Sequence, residues 1–454
     1  MEIRFFCNIA IMNDAAWFYD DLYILLQFLH MEMVIEQGGE AWYFQLLHNH
    51  IFQIPANEIA QNCILWNQQK QRKNSISSFR KFMETQVANV KIDLFSALET
   101  TPLHEAVKFI TRIFSFAKAD NWEKISLEIS NLKFVKKHIS IEILANYLPK
   151  NSKELLPIIE KLAIERRQTK VVITDFIFPF SKELIQPIVN KFVLSASSLN
   201  TYLECPIESY FIQFIKIPQP QNSAATYGSA IHFALEKYFA AMKNDRANEF
   251  PPFDLIWEQF ERYMQENKAS FLPDTFDNYL DKGENALLLF VKENIETWNK
   301  IVLLESFFKS FNSDNIPMKG FVDKIEFSGR NITIVDYKSG RFSKGIERLI
   351  TPNSDNPKGG AYWRQAVFYK MLLDQSPKNW EVKKVEFDFL EPNPSSGNLE
   401  KITFTISERE EQIVQNQIFK TWNNIHKLNF EKGCQQPDCI YCNLARKISY
   451  QNVL

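Results

Sequence analysis

The stretch MKGFVDKIEFSGRNITIVDYKSG, residues 318–340, carries the pattern that decides the fold. Two β-rich runs, GFVDKIEF and NITIVDYK, are joined through SGRN, and a short connection with glycine between such runs is typical of a β-hairpin. The runs contain Asp323 and Asp336, so the hairpin predicts that two carboxylates approach each other across neighbouring strands. Because side chains two positions apart in a strand share a face, Lys338 is expected beside Asp336.

These residue types match the needs of phosphodiester hydrolysis. Two carboxylates at a strand end form a hard, oxygen-rich site of the kind that binds Mg²⁺ or Mn²⁺. A lysine beside them can orient an attacking water and offset developing phosphate charge, while the metal lowers the pKa of that water. Asp323, Asp336 and Lys338 are therefore the predicted catalytic residues.

His232 lies in YGSAIHFALEKYFAAMK, a predicted helix with Gly228 at its start. A histidine on such a helix is most often a packed or surface residue, and this one reaches the carboxylates only through tertiary structure. Glu236 is four residues further on and shares its face. We interpret Glu236 and Glu305 as structural residues.

The ordered series GSAIH, GFVD, VDYK and QAVFY resembles the RecB-like nuclease branch of the PD-(D/E)XK superfamily, over about residues 192–445. The resemblance implies a set of metal ligands: His232, Asp323, Asp336 and the backbone carbonyl of Tyr337. It also implies that Gln365 and Tyr369, one helical turn apart, contact DNA phosphate or orient Lys338. The expected fold class is α/β (α+β), a restriction-endonuclease-like core in which helices flank a mixed central sheet.

The flanking segments GGAYWRQAVFYK and FDFLEPNPSSG are similar to the version of this domain fused to the C-terminus of bacterial UvrD/Rep-type DNA helicases. Residues 15–190 faintly resemble the helical part of such a motor, although the sequence contains no G-x-x-x-x-G-K-[ST] phosphate loop. The chain therefore looks like the C-terminal portion of a split or degenerate helicase–nuclease. This implies DNA and a separate helicase motor as partners.

Glycine usage divides the chain, because only Gly38 and Gly39 precede residue 228. The glycine-poor part shows apolar residues at helical spacing, so residues 1–190 are predicted to be mostly helical, with a short strand over 170–178. Residues 191–454 are predicted to form the nuclease domain with its cysteine-bearing tail.

Two local predictions concern single elements of this arrangement. A helix is expected over NALLLFVKENIETWNKIVLL, residues 285–304, from its apolar spacing. Pro187 is expected to mark a turn.

Composition narrows the class of protein. The 454 residues include 52 Lys plus Arg and 54 Asp plus Glu, a net charge of −2 that argues against an architectural binder held on nucleic acid by bulk charge. Hydrophobic residues make up 45%, yet no apolar run approaches the roughly 18 residues that span a bilayer. Without a secretory signal, we expect a cytoplasmic protein that does not enter membranes.

Cys434, Cys439 and Cys442 cluster in CQQPDCIYC, and Cys205 lies in the lead-in motif ECP. Four thiolates could hold a 4Fe–4S cluster or Zn²⁺, and plain buried thiols are the alternative. Some RecB-like nucleases, including AddB-type proteins, carry such a cluster with one cysteine from the lead-in motif and three from the tail.

The combined prediction is a Mg²⁺- or Mn²⁺-dependent deoxyribonuclease, an exonuclease, acting in DNA repair or recombination. The alternative is a non-catalytic DNA-binding or scaffold subunit of a helicase–nuclease complex. An intact set of Asp323, Asp336 and Lys338 favours the nuclease, because a scaffold has no physical need for two carboxylates and a lysine at one strand end. An ATP-driven helicase is excluded for this sequence by the missing phosphate loop.

Overall fold

The structure is a computed structural model, and it describes residues 40–48, 54–72, 78–87, 182–219, 222–271, 275–394, 396–434, 436 and 438–451. The chain divides into two compact units. The first comprises 1–187, 206–220 and 430–454, and the second comprises 188–205 and 221–429. The domain boundary expected at residue 190 stays a prediction, and the strand expected over 170–178 lies outside the described residues.

In chain order, the helices of the described residues are α1 (Glu40–Leu47), α2 (Ala56–Arg72), α3 (Phe79–Gln86), α4 (Lys182–Val189), α5 (Ala196–Glu204), α6 (Pro206–Ser209), α7 (Ser223–Asn244), α8 (Phe253–Glu266), α9 (Phe276–Asn294), α10 (Phe342–Gly345), α11 (Ala361–Asp374), α12 (Glu408–His426) and α13 (Ile440–Gln451). A π-helical turn over Tyr210–Ile215 follows α6. Among the described residues, no helix is long and apolar enough to cross a bilayer.

The second unit is built on a five-stranded sheet in the order β1-β2-β3-β4-β5. The strands are β1 (Val302–Phe311), β2 (Pro317–Ser328), β3 (Asn331–Arg341), β4 (Glu381–Glu391) and β5 (Glu400–Phe404). Neighbours pair antiparallel except β3 and β4, which are parallel and are separated in the chain by α11. A mixed sheet with flanking helices confirms the predicted fold class.

Each face of the sheet buries its own hydrophobic core. On one face, α11 contributes Trp363 and Leu372, which pack with strand residues such as Val322. On the other face, α7 and α9 contribute Phe239 and Phe290. Helices α7, α9 and α11 are thus fixed to the sheet by buried apolar side chains, each worth roughly 1.5–3 kcal/mol of transfer free energy.

The predicted hairpin is present, with Ser328 opposite Asn331 and a two-residue connection. Gly329 opens this connection at φ +66°, a backbone conformation that glycine adopts without a steric penalty. The sequence pattern therefore located both strands and the turn between them.

Two local expectations were wrong. Helix α9 ends at Asn294, and the apolar run after it pairs as an edge strand, with Leu303 opposite Ile325. A short apolar run fits a strand as well as a helix, and the strand's partner lies about 20 residues further along, where local spacing gives no signal. Pro187, expected in a turn, lies inside α4.

Candidate active site

Strands β2 and β3 diverge where the predicted catalytic residues begin. They pair from Ser328 opposite Asn331 to Lys324 opposite Val335, and beyond Val335 strand β3 pairs with β4 and not with β2. The backbone N–H of Tyr337 donates to the Asp323 side chain at 2.8 Å instead of to a strand backbone. The Asp323 carboxylate is thereby held in the gap between the two strands.

Asp336 and Lys338 meet on one face of β3, as their spacing predicts. Lys338 Nζ lies 2.6 Å from Asp336 Oδ2, and Asp336 is only 4% exposed. Gln365, on α11, connects both groups, since its Oε1 accepts from Lys338 Nζ at 3.0 Å and its Nε2 donates to Asp336 Oδ1 at 2.8 Å. The same Nε2 donates to the Tyr369 hydroxyl at 2.9 Å. The lysine ammonium is therefore held in a fixed position against the carboxylate.

His232 approaches from the facing helix, α7. Its Nδ1 lies 3.4 Å from Asp323 Oδ1, and its Nε2 lies 3.1 Å from the backbone carbonyl of Tyr337. A Cβ at Gly228, one turn earlier, would lie 2.8 Å from Ser339 Oγ, so glycine lets the helix approach β3 closely. This close approach brings the imidazole to the strand end.

Glu305 is a residue of this site that the sequence interpretation missed. It lies on β1 with its Oε1 3.9 Å from His232 Nδ1, and ligand atoms of His232, Glu305 and Asp323 all lie within 4.8 Å of one another. Its φ of +38° is a sparsely populated conformation for a non-glycine residue, and such strain often occurs at functional sites. The interpretation of Glu305 as a structural residue stays a prediction, and its position makes it a candidate metal ligand. The available signal was an isolated acid inside the apolar, aromatic run VLLESFF.

The carboxylates crowd negative charge into a poorly solvated space. Burial raises the pKa of Asp336 to about 6, against the opposing effect of Lys338. Burial also raises the pKa of Glu305 to about 7, and the charge of Asp323 adds to this effect. For His232, burial lowers the pKa, but the charge and hydrogen bond of Asp323 outweigh it and hold that pKa at about 9. Like-charge crowding of this kind is relieved when a cation binds among the carboxylates.

The donor set therefore fits a divalent metal. An imidazole nitrogen, carboxylate oxygens and a backbone carbonyl are ligands that Mn²⁺ and Mg²⁺ accept. His232, Asp323, Glu305 and the Tyr337 carbonyl supply these atoms, with Asp336 on the adjoining position of β3.

The cysteine tail is a second candidate metal site, within the first unit. Ligand atoms of Cys434, Cys439 and Cys442 lie within 4.8 Å of one another, with the sulfurs of Cys434 and Cys442 3.8 Å apart. A Cβ at Gly433 would lie 2.4 Å from Cys442 Sγ, so this neighbour has to be small. Three clustered sulfurs suit a soft metal. Cys205 is a buried residue of the other unit, and its part as a fourth ligand stays a prediction.

Comparisons with known proteins concern mainly the residues of the second unit. The chain is similar to a solved protein titled "Crystal structure of SSO0001", with 13% sequence identity, a TM-score of 0.21, and coverage of 43% of this chain and 86% of that one. No curated protein sequence matches the chain. The sequence profile of the PD-(D/E)XK nuclease superfamily matches residues 193–446, more than half of the length, with the hairpin and α7 inside the match. The chain belongs to the PD-(D/E)XK nuclease superfamily.

Proposed function

We propose that this protein is a metal-dependent DNA nuclease that hydrolyses phosphodiester bonds, and that Asp323, Asp336 and Lys338 are its catalytic residues. The observation that carries the proposal is the pairing of Lys338 Nζ with Asp336 at 2.6 Å, next to the divergence of β2 and β3. A buried ion pair at a strand end costs desolvation energy and is weak evidence for stability. Its position beside further carboxylates and an imidazole supports a catalytic role.

The proposed division of labour follows from these contacts. Mg²⁺ or Mn²⁺, held by His232, Asp323 and the Tyr337 carbonyl, would polarise the phosphoryl oxygen and lower the pKa of a water. Lys338 orients the attacking water and offsets charge that develops on the phosphate. Gln365 restrains the ammonium through its hydrogen bond at 3.0 Å, so Gln365 is a positioning residue. Tyr369 supports Gln365 in turn.

Glu305 adds a carboxylate to the donors that the resemblance implies. Glu305 Oε1 lies 3.9 Å from His232 Nδ1. This distance is short enough for the carboxylate and the imidazole to bind the same ion. The positive φ of Glu305 is a strained conformation of the kind that often occurs at functional sites. We assign it a supporting role in metal binding.

The finer parts of the proposal rest on the ordered motifs GSAIH, GFVD, VDYK and QAVFY. They support a RecB-like nuclease that acts in DNA repair or recombination, and we propose that it is an exonuclease of the cytoplasm. Because the sequence contains no phosphate loop, the proposal includes a separate helicase motor as partner. The cysteine tail, with Cys205 as a fourth thiolate, is proposed to hold a 4Fe–4S cluster or Zn²⁺.

A nuclease assay tests the proposal directly. Single-stranded and double-stranded DNA, labelled at either end, are incubated with the purified protein in Mg²⁺, in Mn²⁺ and in EDTA. The expected result is cleavage in a divalent metal and none in EDTA, with short products appearing first if the enzyme attacks DNA ends. DNA binding without cleavage in either metal would reject the nuclease and favour the scaffold alternative.

A further inference from the structure

A pair of exposed aromatic rings lies on the sheet next to the candidate active site. Phe307 on β1 and Phe321 on β2 are cross-strand partners, with ring centroids 4.8 Å apart. They are 45% and 60% exposed. The ring planes are tilted by 42° to one another. Two large rings paired in solvent are costly to leave uncovered, so they point to a ligand with a flat apolar surface.

The position of the pair relative to the carboxylates follows from strand geometry. Phe321 lies two residues before Asp323 on β2, so the two side chains share a face about 7 Å apart along the strand. Phe307 lies two residues after Glu305 on β1. The aromatic pair therefore lies directly beside the candidate metal ligands, two residues away on each strand.

Lysines follow the aromatic pair one step further along. Lys309 and Lys319 are also cross-strand partners, two residues beyond Phe307 and Phe321 respectively. Lys309 Nζ lies 5.4 Å from the Phe307 ring centroid. The same face thus presents, in order, carboxylates, a pair of aromatic rings and positive charge.

We propose that this face is a binding track for single-stranded DNA, in which an unpaired base next to the scissile phosphate stacks on Phe307 and Phe321. Lys309 and Lys319 contact the phosphate backbone further along the strand. Single-strand-binding proteins combine these two features, aromatic platforms for bases and basic groups for the backbone. The inference rests on the proposed function and deepens it by naming the substrate class.

The chemistry of the track favours an unpaired strand over other occupants. In a duplex the flat faces of the bases are covered by their neighbours, so only an unstacked base can use the platform. A second copy of the protein would need roughly 800 Å² of complementary surface per partner for a stable interface. On this face the apolar area is interrupted within two residues by carboxylates on one side and lysines on the other.

The test uses the full chain carrying Asp336→Asn, so that Mg²⁺ is present without cleavage. Fluorescence anisotropy measures the binding of an oligo-dT strand of about 12 nucleotides, a common length for single-strand sites, of the same strand with abasic sugars, and of a blunt duplex. The double substitution Phe307→Ala/Phe321→Ala is expected to weaken oligo-dT binding about tenfold or more. It should leave binding of the abasic strand unchanged, because that strand has no bases to stack.

Two further variants separate stacking from loss of structure. Phe307→Tyr/Phe321→Tyr keeps the aromatic faces and should retain oligo-dT binding. Phe419→Ala removes a ring of α12 that is similarly exposed, at 47%, and should bind like the parent protein.

Three outcomes would overturn the inference. Undiminished oligo-dT binding by the Phe307→Ala/Phe321→Ala variant would show that bases do not stack on these rings. Cleavage by the wild-type protein would in that case still support the nuclease proposal. A change from dimer to monomer in the alanine pair, seen by light scattering, would identify the face as an interface between copies. Absence of cleavage of every DNA by the wild-type protein would remove the proposed function and this inference together.

Discussion

The carboxylate site draws its donor atoms from three strands, β1, β2 and β3, and from helix α7, whereas the three cysteines of the tail lie within nine residues of one another. At the carboxylate site, sheet register and the hydrogen bond between Tyr337 N–H and Asp323 fix the donors before any metal binds. In the tail, the cysteines flank the start of α13, and a short segment brings them together.

This difference separates two uses of a metal. A site whose donors are already held by a sheet gains reactivity from the ion, and the fold does not depend on it. A site whose thiolates come from a short segment gains folding free energy from the ion, because such a site does not pre-exist in the unfolded chain. Removing metal should therefore abolish activity at the first site and lower stability at the second.

The largest expected effect is at Asp336. Asp336→Asn keeps the shape of the side chain but removes the negative charge that pairs with Lys338, beside the proposed metal site. We expect cleavage to fall by about 10³-fold or more, since both electrostatic and metal-assisted stabilisation of the transition state are lost. End-point cleavage and initial rates in Mn²⁺ measure this.

Asp388→Asn is the matched control for that substitution. Asp388 is also a buried carboxylate on the sheet, 3.4 Å from Lys401, and burial raises its pKa to about 6. A change of stability similar to that of Asp336→Asn is expected, with cleavage retained. Equal loss of cleavage in both variants would mean that Asp336 acts through the fold.

The next effect is that of Lys338→Met, which keeps the length of the side chain and removes its ammonium. We expect cleavage to fall by about 10²-fold, the size of losing one charged donor to a transition state. Metal binding, followed by calorimetry with Mn²⁺, should persist, and Lys344→Met, at an exposed lysine of α10, should cleave normally. A collapse of metal affinity in Lys338→Met would show that the lysine orders the carboxylates and does not act on the substrate.

The sequence predicts those parts of the carboxylate site that depend on the spacing of residues along one strand or one helix. The hairpin, the shared face of Asp336 and Lys338, and the single helical turn between Gln365 and Tyr369 all follow from spacings of two and four residues. The parallel pairing of β3 with β4 is not local, but it changes none of these assignments.

The position of Glu305 at the site could not be predicted from local spacing. Its strand pairs with a segment about 20 residues away, and its contact with His232 depends on α7, more than 60 residues earlier in the chain. Its positive φ is a conformation that local propensity disfavours in any residue other than glycine, so local sequence reasoning does not predict it.

The third prediction concerns the cysteine tail, where loss of the metal should lower the stability of the protein. Cys439→Ser should release the tail metal and lower the melting temperature by about 5 °C or more, given that 1 kcal/mol corresponds to roughly 2–4 °C for domains of this size. Elemental analysis for iron and zinc and a thermal melt measure the two effects. Cys63→Ser is the control for metal content, because its thiol is buried elsewhere in the first unit and donates to the Lys216 carbonyl. Unchanged melting of Cys439→Ser, in protein that contains neither metal, would leave buried thiols as the explanation of the cluster.

The smallest effect concerns pH at the carboxylate site. The pKa values of Glu305 and Asp336 are raised to about 7 and about 6. In metal-free protein, the stability that their protonated forms contribute to the fold is therefore lost as pH rises through those values. The pKa of His232 is raised to about 9, and its stabilising contribution is likewise lost as pH rises from its unfolded value toward 9. Metal-free protein should therefore melt lower at pH 8 than at pH 6.

Added Mn²⁺ should reverse this trend, because a metal has to displace the protons that these three groups hold at pH 6. At pH 8 Glu305 and Asp336 are already ionised, and the proton on His232 leaves more readily. Apparent affinity should rise at least about tenfold between the two pH values, which corresponds to roughly 1.4 kcal/mol, or about 3 °C of additional melting-temperature gain at pH 8. Glu305→Gln should reduce that additional gain, whereas Glu258→Gln, at an exposed position of α8, should preserve it. Equal Mn²⁺ gains at both pH values would contradict the crowding of charge at this site, and with it the reason for a cation there.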